Sequence, residues 1–270
     1  MSKTISEWEV LETGRLAPDV YSLWLRAPKV AAEAKAGQFV SLYSDDGGHL
    51  LPRPISICEI DRKGGRIRLV YRVVGFGTKE FAGLVPGKQV RVMGPLGNGF
   101  PIEENIEKNR KNIILIGGGI GIPPMLSVLH AIREYQEDTV PCEVTTVVGY
   151  RDRHDFLSDN LYKESDNLLV ATDDGSRGTH GTVIDALNEN RCTGDVIYAC
   201  GPTPMLRGVK KWGEDQGIPV WLSLEEKMAC GIGACLACVC DSADIDDHSK
   251  VKNKRICCDG PVFPADEVIV

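Results

Sequence analysis

Six of the ten cysteines, Cys230, Cys235, Cys238, Cys240, Cys257 and Cys258, crowd toward the end of the 270-residue chain. Three of them lie in Cys230-Gly231-Ile232-Gly233-Ala234-Cys235-Leu236-Ala237-Cys238, a C-x4-C-x2-C pattern, and Cys257 follows after 18 intervening residues. Thiolates at this spacing are the ligand pattern of a plant-type [2Fe-2S] cluster. A thiolate-bound cluster is anionic, and small residues such as Gly231, Gly233 and Ala234 let the backbone wrap closely and aim N–H groups at its sulfurs. The same residues admit two other readings: structural zinc, whose sites more often show paired C-x2-C knuckles, and merely buried thiols. By spacing alone Cys258 competes with Cys257 for the fourth ligand place, and Cys240 is a spare.

Two further stretches have the composition of ligand-binding turns. Gly117-Gly118-Gly119-Ile120-Gly121-Ile122-Pro123-Pro124 follows a continuous apolar run, Ile113-Ile114-Leu115-Ile116, and precedes a helical pattern from Met125 to Gln136. A glycine turn there brings backbone N–H groups to a pyrophosphate at a helix N-terminus, and proline is tolerated in the first helical turn. Cys200-Gly201-Pro202-Thr203-Pro204-Met205 also follows an apolar run, Val196-Ile197-Tyr198-Ala199. It falls at the carboxyl edge of a sheet, so Cys200 is not counted with the cluster ligands.

The first hundred residues carry weaker signals. Arg53-Pro54-Ile55-Ser56 opens a strand-like stretch to Ile60; its arginine suits a bidentate phosphate contact and its serine a flavin ring atom. Gly75-Phe76-Gly77-Thr78 is a close-approach loop before the helix-like Lys79 to Leu84 and offers N–H groups to a pyrophosphate. His154 and His180 lie in polar, loop-like stretches, and no residue is assigned a catalytic role.

These residues need elements to hold them. Short alternating runs such as Gln38–Tyr43 and Arg66–Val74, separated by turns, predict an antiparallel barrel or sandwich over 1–103. From Asn112 onward, apolar runs alternate with helical stretches, which predicts βαβ units and a parallel sheet over 104–222. The remainder, 223–270, is rich in Cys, Gly and Ala, then strongly polar, with little apolar material of its own. Such a segment needs a staple.

Composition excludes other classes. The chain is 43% hydrophobic and 26% charged, as an ordinary globular protein is. Its 38 acidic and 31 basic residues give a net charge of -7, and no Lys/Arg block forms a nucleic-acid footprint. The first residues lack the apolar core of a signal peptide, and no run of about 18 apolar residues occurs. The expectation is a cytoplasmic protein with neither membrane nor nucleic acid as partner, whose cysteines serve a metal or cluster rather than disulfides.

Taken in order, Arg53-Pro54-Ile55-Ser56, Gly77-Thr78, the loop at 117–124 and Cys200-Gly201-Pro202 resemble the ferredoxin–NADP reductase superfamily, over about residues 5 to 222. The resemblance implies an antiparallel Greek-key barrel that binds FAD, followed by a doubly wound parallel-sheet domain that binds NAD. Onto matching positions it carries FAD contacts at Arg53, Pro54, Ile55 and Ser56, at Val70, Tyr71 and Arg72, and at Gly77 and Thr78. It carries NAD contacts to Gly117, Gly119, Gly121, Cys200, Gly201 and Pro202.

The tail, from Glu225 to Cys240 and from Arg255 through Asp259-Gly260-Pro261-Val262-Phe263, resembles the electron transfer subunits of type B dihydroorotate dehydrogenases. There the fourth ligand precedes one variable residue and D-G-P-V-F, so the implied [2Fe-2S] ligands are Cys230, Cys235, Cys238 and Cys257. The implied activity passes electrons from dihydroorotate, oxidised on a separate FMN-containing catalytic subunit, through the cluster and FAD to NAD+ in pyrimidine (UMP) biosynthesis. The implied assembly is a heterotetramer with two of each subunit. Two rival readings are an NAD(P)H-reductase subunit of a cytosolic hydrogenase-like complex and a zinc-stapled module without redox activity. NAD in place of NADP follows from the resemblance and from Asp152 and Asp155, although Arg151 and Arg153 suit a 2′-phosphate.

Overall fold

The computed structural model describes residues 5–137, 139–155, 162–245 and 250–270. The first part holds strands β1 (Ile5–Ala17), β2 (Val20–Arg26), β3 (Phe39–Tyr43), β4 (Arg53–Asp61), β5 (Arg66–Arg72) and β6 (Gln89–Leu96). Helices α1 (Pro28–Glu33) and α2 (Phe76–Ala82) lie between them in the chain. The strands close into a barrel in the order β1-β2-β5-β4-β3-β6, all pairs antiparallel, which decides between the barrel and the sandwich. Side chains alternate across a strand. On β3, Val40 and Leu42 join Leu23, Leu69, Tyr71 and Phe81 in the interior, while Phe39 belongs to a different core outside the barrel.

Helix α3 (Ile102–Glu107) leads into the second part. Its elements are β7 (Asn112–Gly118), a single 3-10 turn (Gly119–Gly121), α4 (Ile122–Glu137), β8 (Glu143–Tyr150), β9 (Asn167–Thr172), β10 (Thr179–His180), α5 (Val183–Glu189), β11 (Val196–Cys200), α6 (Thr203–Gln216) and β12 (Val220–Ser223). The sheet runs β10-β9-β8-β7-β11-β12 with every pair parallel. Because both faces of such a sheet are covered, its central strands β7 and β11 carry the apolar runs 113–116 and 196–199. Ile113 and Leu115 pack on α4, while Ile114 and Ile116 pack on α5 and α6.

Beyond Leu224 the strands among the described residues are β13 (Val239–Asp241), paired with β14 (Asn253–Arg255), and β15 (Val262–Pro264). β15 adds antiparallel to β12 at the sheet edge, with Phe263 opposite Leu222. The tail is therefore woven into the sheet, and its Ile256, Cys257 and Phe263 share a core with Phe39, Met93 and Leu96 of the barrel wall. Among the described residues, no helix is long and apolar enough to cross a membrane.

Candidate functional site

The sheet starts at β7, grows one way through β8 to β10 and the other way through β11 and β12. Its strand order therefore reverses between β7 and β11, where open α/β sheets bind ligands beyond the carboxyl ends of the strands. The glycine loop follows β7 and the Cys-Gly-Pro turn follows β11, with Gly117 opposite Cys200 in the register. Contact between them is backbone on backbone. A Cβ on Gly121 would fall 2.6 Å from the Gly201 nitrogen, and one on Gly201 would fall 3.1 Å from the Gly118 nitrogen. A Cβ has no room there, and the Met205 side chain packs over Gly118 and Gly201. Gly119 differs: its φ is +54° and the space where a Cβ would point is open, so this turn presents backbone to an unobstructed edge at the start of the 16-residue α4. Cys200 stands at the end of β11. Burial pushes its thiol up to about 12, with the Ser223 side chain opposing the shift and Glu225 adding to it. The thiol stays neutral at physiological pH.

The barrel residues line up beside this edge. On β4, Ile55 and Ile57 pack with the barrel interior and Cys58 with the α4 core. Arg53 donates through Nη1 to the Leu51 carbonyl at 2.6 Å, and a Cβ on Gly77 would lie 3.0 Å from its Nε, so the glycine lets the guanidinium lie against the first turn of α2. The Thr78 hydroxyl accepts from the Val74 and Gly75 N–H groups at 3.0 and 3.2 Å, so it fastens its own loop. Val70 packs on the α4 side and Tyr71 points into the barrel, edge-on to Phe81. Arg72 pairs with Asp155 at 3.5 Å, which bridges the barrel and the β8 loop. Asp152 accepts from the His154 N–H at 2.7 Å. Leu50, Leu51, Val74 and Phe76 leave an apolar face exposed around Arg53, with His49 stacked on Phe76 at 3.8 Å.

The cysteine loop holds its thiols by backbone. Cys230 Sγ accepts from the Ile232 and Ala234 N–H groups at 3.4 and 3.3 Å, and Cys257 Sγ accepts from Gly233 at 3.1 Å. Gly231 and Gly233 take φ of +68° and +82°, which the turn needs to bring those N–H groups inward. Burial raises the Cys230 thiol, but the N–H groups of Ile232, Cys235 and Ala234 outweigh it and bring the value to about 6. Burial and the neighbouring Cys238 push Cys257 up to about 12. Among the described residues, no three His, Cys, Asp or Glu side chains converge as they would on one metal ion. The Cys235 thiol acts on that of Cys230, and the thiols of Cys238 and Cys230 act on that of Cys257, so the four lie near one another. Four neighbouring thiols are the donor set that a [2Fe-2S] cluster takes. The Cys258 thiol donates to the Ile232 carbonyl at 3.8 Å and lies against Gly233, where a Cβ would fall 2.9 Å from its Sγ. Cys240 lies on β13 opposite Lys254 and its thiol, raised to about 11 by burial, packs with apolar neighbours.

Several residues that organise this region carry no local signal. Asn98, just past β6, donates through Nδ2 to the carbonyls of Asp259 and Val262 at 2.9 and 3.1 Å, while its Oδ1 accepts from the Val262 N–H at 3.1 Å. Asp259 accepts from the Arg255 backbone N–H and from its guanidinium, at 2.8 to 2.9 Å. The D-G-P-V-F stretch is thus a clasp between barrel and cysteine loop, a role the sequence did not suggest. A cleft at the opposite edge of the sheet, lined by Lys111, Glu143, Asp166 and Asp195 among others, carries no predicted motif. Its carboxylates are already engaged: Asp195 by the Lys111 and Asn112 N–H groups and Asp166 by Arg133.

A profile described as the iron-sulfur cluster binding domain of dihydroorotate dehydrogenase B matches residues 225–269, and one described as an oxidoreductase NAD-binding domain matches 115–211. The dihydroorotate dehydrogenase B (NAD(+)) electron transfer subunit of Geobacillus sp. (strain WCH70) is 38% identical over 256 residues, covering 94% of this chain and 95% of the relative. That of Shouchella clausii (strain KSM-K16) is 37% identical over 271 residues, covering both fully. Among solved structures, a chain of the NADH-dependent reduced ferredoxin-NADP oxidoreductase superposes with a TM-score of 0.83 at 31% identity, covering all of this chain and 91% of that one. A Neisseria gonorrhoeae ferredoxin NADP+ reductase with bound FAD and NADP superposes with a TM-score of 0.65 at 18% identity over 80% of this chain and 93% of that one, a likeness of fold. With such identity along nearly its whole length, the chain belongs to the family of dihydroorotate dehydrogenase B (NAD(+)) electron transfer subunits.

Proposed function

We propose that this chain carries electrons from an FMN-containing, dihydroorotate-oxidising partner to NAD+, through a [2Fe-2S] cluster on Cys230, Cys235, Cys238 and Cys257 and an FAD on the barrel. One observation carries the reading. The cysteine loop rests on the outer wall of the barrel, where a Cβ on Gly231 would lie 3.4 Å from the Ser41 oxygen of β3. β3 is in turn the direct partner of β4, with Phe39 opposite Ser56, Ser41 opposite Pro54 and Leu42 opposite Arg53. A single strand separates the thiols from the Arg53–Ser56 segment.

When bound, the cluster supplies one-electron transfer and the flavin couples it to the two-electron chemistry of nicotinamide. The chain's own residues do the holding. The apolar face of Leu50, Leu51, Val74 and Phe76 suits a planar ring system, and Arg53, which no carboxylate pairs among the described residues, suits its phosphates. Gly117, Gly119 and Gly121 with Cys200, Gly201 and Pro202 form the edge for the nicotinamide nucleotide. There the neutral Cys200 thiol gives a wall without a competing nucleophile. Cys235, itself exposed, is flanked by the exposed apolar side chains of Ile232 and Leu236, which suits docking of the donor subunit at the thiols. With Asp155 already paired to Arg72, Asp152 is the acidic residue left to meet a ribose hydroxyl.

Co-expression with the FMN subunit tests the reading. The expected result is a complex, two copies of each, that reduces NAD+ with dihydroorotate, whereas this chain alone oxidises none. The likeness to the NADH-dependent reduced ferredoxin-NADP oxidoreductase chain favours a second reading, in which the partner is a ferredoxin-linked reductase. Under that reading dihydroorotate gives no turnover and the chain copurifies with the other partner.

A further inference from the structure

Ser41 is fully buried on β3, and among the described residues its hydroxyl is the buried side-chain polar atom with no hydrogen-bond partner. Native proteins rarely keep such an orphan, and one that persists calls for a specific explanation, a redox role or a bound group among them. The position is not spare room inside the barrel, because Val40 and Leu42 on either side of it fill the interior. Ser41 faces outward, opposite Met93 of β6. There it meets the cysteine loop: the Cβ position of Gly231, the residue after Cys230, lies 3.4 Å from its oxygen and 3.2 Å from Met93 Cε. Tyr43, two residues along on the same face, packs against the core that holds Met93, Cys238 and Cys257. The loop's own donors do not reach back to Ser41, since the Ile232 and Ala234 N–H groups are spent on Cys230 Sγ.

A cluster carried by Cys230 would bring what the hydroxyl lacks, an anionic set of sulfur acceptors. We infer that the Ser41 hydroxyl donates its hydrogen bond to a sulfur on the Cys230 side of the [2Fe-2S] cluster and thereby raises the cluster's reduction potential. Hydrogen bonds to the sulfurs are one of the protein's levers on that potential, since they stabilise the more negative reduced state. Ser41 is thus a tuning residue, placed on the strand between the thiols and the Arg53–Ser56 segment. The inference rests on the cluster assignment above.

The test is a redox titration of the purified holoprotein, followed by the electron paramagnetic resonance signal of the reduced cluster. Ser41→Ala should retain its iron and hold the added electron about tenfold more weakly, a fall of about 59 mV for a one-electron couple. Ser41→Thr, which keeps the hydroxyl, should stay near the native potential. An unchanged potential in Ser41→Ala overturns the inference, and so does an equal shift in the two variants, which would point to packing. Where Ser41→Ala lost its cluster, Ser41→Gly removes the same hydroxyl and is read the same way. A native chain without iron–sulfur absorption would sink the cluster assignment itself, whereas a loaded chain with an indifferent Ser41 sinks only this inference.

Discussion

The carboxyl edge of the sheet and the cysteine loop are built in opposite ways. At the sheet edge the glycine loop and the Cys-Gly-Pro turn end two apolar strands buried on both faces, and they meet backbone on backbone through Gly118, Gly121 and Gly201. The cysteine loop has no regular structure between Leu224 and Cys238; its shape comes from three N–H···S bonds and from a clasp of Asn98, Arg255 and Asp259. The first site is a by-product of a strongly packed fold. The second is a surface segment whose order depends on the group its thiols hold and on the wall behind it. Substitutions should therefore act differently in the two places.

The largest effect is expected at the thiols. Cys257→Ser should abolish the [2Fe-2S] absorption and iron content, whereas Cys258→Ser should keep both, as measured on purified protein. The reverse pattern would exchange the roles of the two residues. At the sheet edge, Gly121→Ala forces a methyl into the Cys200–Gly201 backbone and should cost at least about 1–3 kcal/mol of stability. Denaturant titration should show that loss together with weakened nicotinamide nucleotide binding, while iron content per folded chain is unchanged. Native stability in the Gly121→Ala chain would break the contrast.

The clasp gives an intermediate case. Asn98→Ala removes three side-chain hydrogen bonds to the tail and should destabilise by about 2 kcal/mol, at roughly 0.5–1.5 kcal/mol per bond. Limited proteolysis should then cut first between 224 and 260. The pH dependence separates the thiols further. With its value lowered to about 6, Cys230 in cluster-free chain should react with an alkylating agent at a rate that rises through pH 6 and levels off by about pH 7. Stability contributed by its thiolate is fully present above the ordinary free-thiol range and is lost as pH falls through about 6. Cys200 and Cys257, both pushed up to about 12, should stay unreactive across that range. The smallest effect belongs to the half-exposed bridge between barrel and sheet: Arg72→Met should change stability by less than about 1 kcal/mol.

The same contrast explains what could be read from the sequence. The apolar runs at 113–116 and 196–199 and the glycine turns after them are local signals, and the structure has β7 and β11 there with the two turns in contact. Alternation at 38–43 and 66–74 gave strands, and closure into a barrel came from long-range pairings such as β1 with β6 that no local pattern encodes. The cysteine spacing pointed to a cluster but left Cys257 and Cys258 equivalent, and only the folded loop gives them different partners, the Gly233 N–H for Cys257 and the Ile232 carbonyl for Cys258. β15 was not legible, because three residues after a proline become a strand only when β12 offers its edge. Nor did Ser41 stand out, since a serine in an alternating strand reads as an ordinary solvent-facing residue until the distant loop around Gly231 covers it.

We propose that the thiols and the Arg53–Ser56 strand form one electron path to the sheet edge. It is tested most directly by adding NADH to the purified chain without air and following flavin absorption and cluster paramagnetism together. NADH should bleach the flavin and raise the reduced [2Fe-2S] signal in the native chain, and in Cys257→Ser it should bleach the flavin with no cluster signal. A native chain whose flavin is reduced while its loaded cluster stays oxidised at potentials where it should accept electrons would contradict it.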